Sequence, residues 1–316
     1  HLRGTFGCHI ESLELLRSDG IVRRCAPDEN AALFSATIGG MGLTGLILTA
    51  RIRLMPVGSL DIEERIVPFA GLGDYFAMAE ASDRDNEYSV AWVDQLAGGG
   101  SEGRGVLISG NHARNGNRDG ESRPARLGVP LGLPVSALNR WSLALFNTAY
   151  FRAKSRKSAP HLTRFGSFFY PLDGVRGWNR LYGPRGLHQH QSVIPSDAAP
   201  HVIPAMLSAS RRAGQASFLT VLKRFGDLRS PGMLSFPRPG YTLTMDFPDR
   251  GETTRTLLDL LDRMTTEAGG RVNPYKDRHM SAATFRAGFP EWTELEQWRD
   301  PRFCSDFWRR TALQSG

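Results

Sequence analysis

Apolar residues recur at helical spacing over residues 31–38, and after a cluster of glycines the pattern changes to alternation, with Leu46, Leu48, Ala50, Ile52 and Leu54 on one side. The first period predicts a helix and the second a half-buried strand that stops at Met55-Pro56. Upstream, Ile10, Leu13, Leu15 and Leu16 run into an Asp19-Gly20 turn, with Ile21 and Val22 beyond it, which predicts a β-hairpin over residues 7–25. Pro27-Asp28-Glu29 places acids at the positive end of the helix and predicts its cap. Beyond Pro56 strands are predicted over residues 61–67, 88–93 and 106–109, with a helix over 72–81. Strand, helix, strand, strand implies an α+β unit on an antiparallel sheet. Further strands are expected over 186–195 and 217–226. An amphipathic helix is expected over 253–268, with Leu257, Leu258, Leu261 and Met264 inward, and helices in the aromatic tail over 285–313. Residues 111–135, rich in Gly, Arg, Asn and Pro, read as a long loop.

Gly40-Met41-Gly42-Leu43-Thr44-Gly45 spells G-x-G-x-x-G, but a helix precedes it and a strand follows. The dinucleotide fingerprint needs the reverse order, so a Rossmann loop is rejected. Two readings remain: a plain helix-to-strand connection, or glycines that let backbone approach a flat cofactor.

The 316 residues suggest about two domains, and the formal charge is +7. Almost all the cations are Arg. Lys occurs only at Lys154, Lys157, Lys223 and Lys276, so a Lys inside an apolar strand stands out. Cys8, Cys25 and Cys304 fit neither a disulfide framework nor a zinc spacing and read as three reduced, mostly buried thiols. No run is long enough to span a membrane. The chain starts at His1 rather than Met and is expected to lack its natural N-terminus, so a targeting segment would not be visible. The apolar run 141–151 is followed by a basic run 152–157. It reads either as a core helix with a cationic last turn or as an interfacial helix on an anionic membrane.

In residues 186–195 His188 and His190 share one strand face, and Gln189 and Gln191 the other. The two histidines could bind a metal, but no neighbouring Cys or carboxylate completes a site. The bland reading is an edge strand polar on both faces. In residues 217–226 Lys223 points the same way as Leu219, Val221 and Phe225. A Lys so placed either snorkels to water or meets an anion.

Gly4-Thr5-Phe6-Gly7, a hairpin, an acid-preceded helix, then Gly39-Gly40-Met41-Gly42-Leu43-Thr44-Gly45 and a strand resemble the second half of the flavin domain of the vanillyl-alcohol oxidase type of FAD oxidoreductases. Ser89-Val90-Ala91-Trp92, Trp178 to Pro184, Ser217 to Gly226, Leu234 to Pro237 and Arg271 to Asp277 carry the resemblance along the chain, most of all toward the decaprenylphosphoryl-ribose oxidase family. The resemblance implies a split FAD-binding domain (1–58 and 271–316) with an antiparallel-sheet substrate domain (59–270) inserted. It implies FAD held by Gly4, Thr5, Phe6, Gly7, Gly42, Gly45, Ile47 and Lys276, and Lys276 and Lys223 as catalytic cations. The pocket would be formed by Gln189, Gln191, Trp92, Phe169, Leu172, Leu219, Val221, Phe225, Thr242 and Thr244. Phe169 stands where the family has a Tyr, and Thr244 where mycobacterial members carry a cysteine that traps covalent inhibitors. The implied reaction is oxidation of the C2 hydroxyl of a lipid-linked ribose phosphate on the way to arabinan, with a partner keto-reductase completing epimerisation. The protein would be cytoplasmic or peripheral to the membrane. Two alternatives remain open: an FAD enzyme for an aldonolactone or sugar alcohol, and a basic nucleic-acid binder, which the burial of the aromatics in apolar strands disfavours.

Overall fold

The computed structural model describes residues 1–98, 102–119, 127–129, 139–217, 219–276 and 279–314. Phe218, Asp277 and much of the loop 111–135 lie outside the described residues.

Strands β1 (Ile10–Leu16), β2 (Val22–Cys25) and β3 (Leu46–Ile52) form a small antiparallel sheet in the order β2-β1-β3. Helix α1 (Ala31–Thr37) packs Leu33 and Phe34 on Leu13, Leu15 and Cys25. The expected acidic cap does not form. Asn30 enters the helix in the left-handed region at φ 50° and donates its amide to the Arg24 carbonyl, while Glu29 pairs with Arg24. Nor is β3 half buried, because all seven of its residues are exposed. It is an edge strand like β2, but the α1 core is built on β1 and β2 alone. Cys25 is buried, Cys8 and Cys304 are partly exposed, and all three are free thiols.

The remaining strands are β4 (Asp61–Phe69), β5 (Tyr88–Val93), β6 (Gly105–His112), β7 (Leu127–Gly128), β8 (His161–Arg164), β9 (Val175–Arg176), β10 (Leu187–Ile194), β11 (Val221–Phe225), β12 (Gly240–Pro248) and β13 (Arg271–Val272). Eight of them form one antiparallel sheet, β13-β10-β12-β11-β5-β6-β4-β8, and β7 and β9 make a short parallel pair. The strand expected from residue 217 begins only at Val221, and β10 is an interior strand rather than an edge.

Helices α2 (Leu72–Asp85), α3 (Arg140–Ser155), α4 (Phe165–Phe169), α5 (Ala199–Arg212) and α6 (Glu252–Glu267) pack around this sheet. Alternation in the strands decides which face each covers. Ala91, Leu107, Leu222, Leu243 and Met245 point to one face and are buried beneath α2, α5 and α6. Trp92, Ile66 and Val106 point to the other, where Tyr150 and Phe151 of α3 cover them. Beyond β13 the chain forms α7 (Ala282–Gly288), α8 (Trp292–Trp298) and α9 (Asp306–Thr311). Their Phe285, Phe289, Leu295 and Trp308 bury Leu43 of the glycine segment together with Val193 and Val272 of the large sheet. The tail therefore fastens the glycine segment to the large sheet.

Trp308 is fully buried and donates its indole N–H to Glu296 Oε2 at 2.7 Å. Trp308→Ala should lower the unfolding free energy by about 3–5 kcal/mol in urea titrations, through lost burial and the cavity left behind. A loss under about 1 kcal/mol would mean that the tail does not share the core.

Candidate functional site

Pairing of β10, β12 and β11 sets the site. Gln189 lies opposite Asp246, Gln191 opposite Thr244, and Val193 opposite Thr242. On the other side of β12, Val221 lies opposite Thr244 and Lys223 opposite Thr242, and Val221 also faces Trp92. Directly opposed residues project to the same face. Gln189, Gln191, Asp246, Thr244, Thr242 and Lys223 therefore form a polar patch on the face away from α5 and α6.

Hydrogen bonds fix the patch. Gln189 Nε2 donates to Asp246 Oδ1 at 2.7 Å, and Gln191 Nε2 to Thr242 Oγ1 at 3.2 Å. Just beyond β13, Asn273 donates its side-chain amide to Gln191 Oε1 and its backbone N–H to the Gln191 carbonyl, both at 2.8 Å. Two residues on, the Tyr275 hydroxyl donates to the Gly39 carbonyl at 2.5 Å. Thr5 Oγ1 donates to Ser230 at 3.0 Å, and Ser230 meets Ser235 at 2.7 Å.

These contacts enclose an open cleft of ≈ 480 Å³ between the small sheet and the large one. Its lining includes Thr5, Phe6 and Gly7 from the N-terminal segment, Gly39 of the glycine segment, Gln191 and Phe225 of the large sheet, and Asn273 and Tyr275 beyond it. A hollow of ≈ 290 Å³ adjoins it, sharing Thr5, Phe6, Phe225 and Pro237 and adding Arg238. The volume suits a cofactor-sized ligand. Aromatic faces at Phe6, Phe225 and Tyr275 and amides at Gln191 and Asn273 suit a flat heteroaromatic ring with a polar edge. Gly7 also permits close packing, since a Cβ there would stand 2.5 Å from Ile38 Cγ2.

The expected site residues divide into three groups. Gln189, Gln191, Thr242, Thr244, Lys223, Val221 and Trp92 share the sheet face, and Thr5, Phe6, Gly7 and Phe225 line the cleft. Lys223 is reached by solvent, while the protein mass around it lowers its pKa by desolvation. Lys276 is exposed and near enough to Asp246 to favour that carboxylate. A second group packs away from the cleft lining. Leu172 and Leu219 join a cluster around Leu143 and Tyr182, the Trp92 ring packs tilted against Tyr150 with centroids 4.7 Å apart, and Phe169 meets Tyr88 edge-on at 4.8 Å. The third group is the later glycines. Gly42, Gly45 and Ile47 lie outside the cleft lining, which Gly39 enters instead. Gly4 lines the adjoining hollow. His190 is buried with Asp262 at 3.1 Å and His188 is 3.5 Å from Asp249, so separate carboxylates hold them. No group of three or more metal-ligating side chains occurs among the described residues.

Sequence reasoning did not single out Asp246, Tyr182, Asn273 or Tyr275. Asp246 had a signal: Thr242, Thr244 and Asp246 alternate with apolar residues, which marks a polar stripe on one strand face. Asp246 is buried, and burial pushes its pKa up to about 6 against the opposing pull of Gln189, Lys276 and the Tyr182 hydroxyl.

No protein-family model matches the chain. It is 32% identical to the decaprenylphosphoryl-β-D-ribose oxidase of Mycolicibacterium smegmatis, over 99% of this chain and 70% of that protein. It is also 32% identical to a Streptomyces coelicolor protein named "Uncharacterized protein in mprA 5'region", over 99% of this chain and 89% of that one. A stretch of 48 residues, 15% of the chain, is 42% identical to cytokinin dehydrogenase 9 of Oryza sativa subsp. japonica, covering 9% of that enzyme.

The raised Asp246 pKa has a sign that can be tested. Between about pH 4 and the folded-state value of about 6 the native carboxyl keeps a proton that the unfolded chain has released, so its contribution to stability falls as pH rises. Asp246→Asn, neutral throughout, should therefore gain on the wild type by about 2 kcal/mol from pH 4 to pH 7 in paired denaturation curves. A constant difference across that range would show that Asp246 ionises as freely when folded as when unfolded.

Proposed function

The chain belongs to the decaprenylphosphoryl-β-D-ribose oxidase family of oxidoreductases, and from that premise we propose that it oxidises the C2 hydroxyl of a polyprenylphosphoryl-ribose with FAD as the electron acceptor. The observation that carries this reading is the convergence of Thr5-Phe6-Gly7, Gly39 and the Gln191–Asn273 contact on one cleft beside the polar patch. The chemistry of the donors supports it. Phe6, Phe225 and Tyr275 offer apolar faces to a ring, and Gln191 and Asn273 meet a polar edge. Bound there, FAD would supply the two-electron acceptor.

The chain's own residues do the rest. The alcohol must lose its carbon-bound hydrogen with two electrons and its hydroxyl proton, leaving a 2-keto sugar for a separate reductase. Lys223 lies on the patch and Lys276 close to its Asp246. Each would stabilise negative charge that develops as electrons leave the sugar, a preorganised electrostatic role. Gln189, held by Asp246, and Gln191, held by Thr242 and Asn273, would orient sugar hydroxyls with amides that cannot rotate away. Thr244 brings a hydroxyl and no thiol, so reagents that trap a cysteine there should leave this enzyme active.

Turnover of a polyprenylphosphoryl-ribose beside that of free ribose and an aldonolactone tests the substrate class. Oxidation of the lipid-linked sugar alone is expected, and equal turnover of a tail-free substrate would move the assignment to the aldonolactone or sugar-alcohol oxidases. Lys276→Ala should slow single-turnover flavin reduction by about 10²-fold while substrate binding changes by no more than about threefold. An unchanged rate would remove Lys276 from the reaction.

A further inference from the structure

Helix α3 lies on the site face of the large sheet, and its two long sides differ. The inner side is docked. Leu143 is buried, and Asn147 is fully buried with its amide on Asp94 Oδ1 at 2.9 Å. Tyr150 and Phe151 cover Trp92, and Lys154 reaches Glu64 at 3.6 Å. The outer side runs through Trp141, Leu145, Ala149, Arg152 and Arg156, all exposed and spaced three or four residues apart. Trp141 is 79% exposed and Leu145 74%, with Phe146 beside them at 46%. The first two turns of the helix thus present three large apolar side chains to solvent. Arg152, Arg156 and Lys157 follow at the exposed C-terminal end. At the other end the surface opens into a hollow of ≈ 360 Å³ lined by Trp141, Ala144, Arg211 and Arg250. No helix among the described residues is long and apolar enough to cross a membrane.

We propose that the outer face of α3 is a docking surface for an anionic lipid bilayer, with Trp141, Leu145 and Phe146 entering the acyl boundary and Arg152, Arg156 and Lys157 meeting the headgroups. Charge complementarity selects this occupant. A helix lying in a bilayer interface pairs an aromatic and aliphatic stripe with cations at headgroup depth, whereas the core of a protein–protein interface is depleted of charge. The inner face is already committed to the sheet, so the helix can lie on a membrane without unfolding. Through Tyr150 on Trp92 it also stands directly over the strand that flanks the polar patch. The surface stands independently of the substrate assignment. It is also compatible with that assignment, since a lipid-linked sugar is itself anchored in a bilayer.

The test is flotation of the full chain with vesicles of phosphatidylcholine alone and of an equimolar phosphatidylcholine–phosphatidylglycerol mixture. Binding to the anionic vesicles is expected, weakening as salt is raised. Trp141→Ser with Leu145→Ser, and separately Arg152→Glu with Arg156→Glu, should each reduce it by about tenfold or more. Circular-dichroism melting of each variant checks that it folds, and both changes lie on the exposed side. Absence of anionic-vesicle binding by the wild type, or equal binding by folded variants, would overturn the proposal. So would a dimer in light scattering that the Trp141→Ser/Leu145→Ser variant splits, since it would give this face to a second copy of the chain. Vesicle binding is read without turnover, so its failure is distinct from failure of the proposed reaction.

Discussion

Gln191 is fastened to Asn273 at two points, side chain to side chain and backbone to backbone, each at 2.8 Å. That pair sits where the chain leaves the large sheet for its C-terminal helices, and the cleft depends on it. It holds the Gln191 amide toward Thr242 and carries Tyr275 to the Gly39 carbonyl. Nearby, Arg271 adds a guanidinium bond to the Ser235 carbonyl and lies 4.5 Å over the Phe289 ring. An amide buried without partners would lose one or more kcal/mol per unmet group. Here it is satisfied, and the satisfaction specifies one arrangement of glycine segment, sheet and tail.

The two faces of the eight-stranded sheet divide the work. One face buries Leu222, Leu243, Met245 and Phe247 under α2, α5 and α6 and supplies the core. The other carries a cation, two amides, two hydroxyls and a carboxyl on three adjacent strands. Such a patch cannot be covered by apolar side chains without cost, so it stays open to a ligand. Thr242 and Asp246 are themselves buried in it. Asp246 is held by Gln189, and burial keeps its proton into the weakly acidic range.

Much of this was legible in the sequence wherever a two-residue or helical period had one buried face. Tyr88–Val93 was read to the residue, and the face shared by Val221, Lys223 and Phe225 follows from alternation alone. The separation of His188 and His190 from Gln189 and Gln191 was legible for the same reason. Periodicity failed at β3, where the alternating side chains meet no layer on either face. It also failed at Glu29, which pairs with Arg24 instead of capping the helix. The Gln191–Asn273 bond, the Tyr275–Gly39 bond and the Asp262 partner of His190 join residues 72 to 236 positions apart. No local pattern encodes contacts at such separations. The resemblance pointed to the glycine segment, but the cleft takes Gly39 where Gly42 and Gly45 were expected.

The central claim is that this cleft holds a flavin beside a lipid-linked sugar. An anaerobic visible spectrum of the purified protein, taken before and after adding a polyprenylphosphoryl-ribose, tests it most directly. The account predicts a flavin band that bleaches on addition of that substrate. A protein that carries no flavin, or a flavin band that this substrate leaves unchanged, would contradict it.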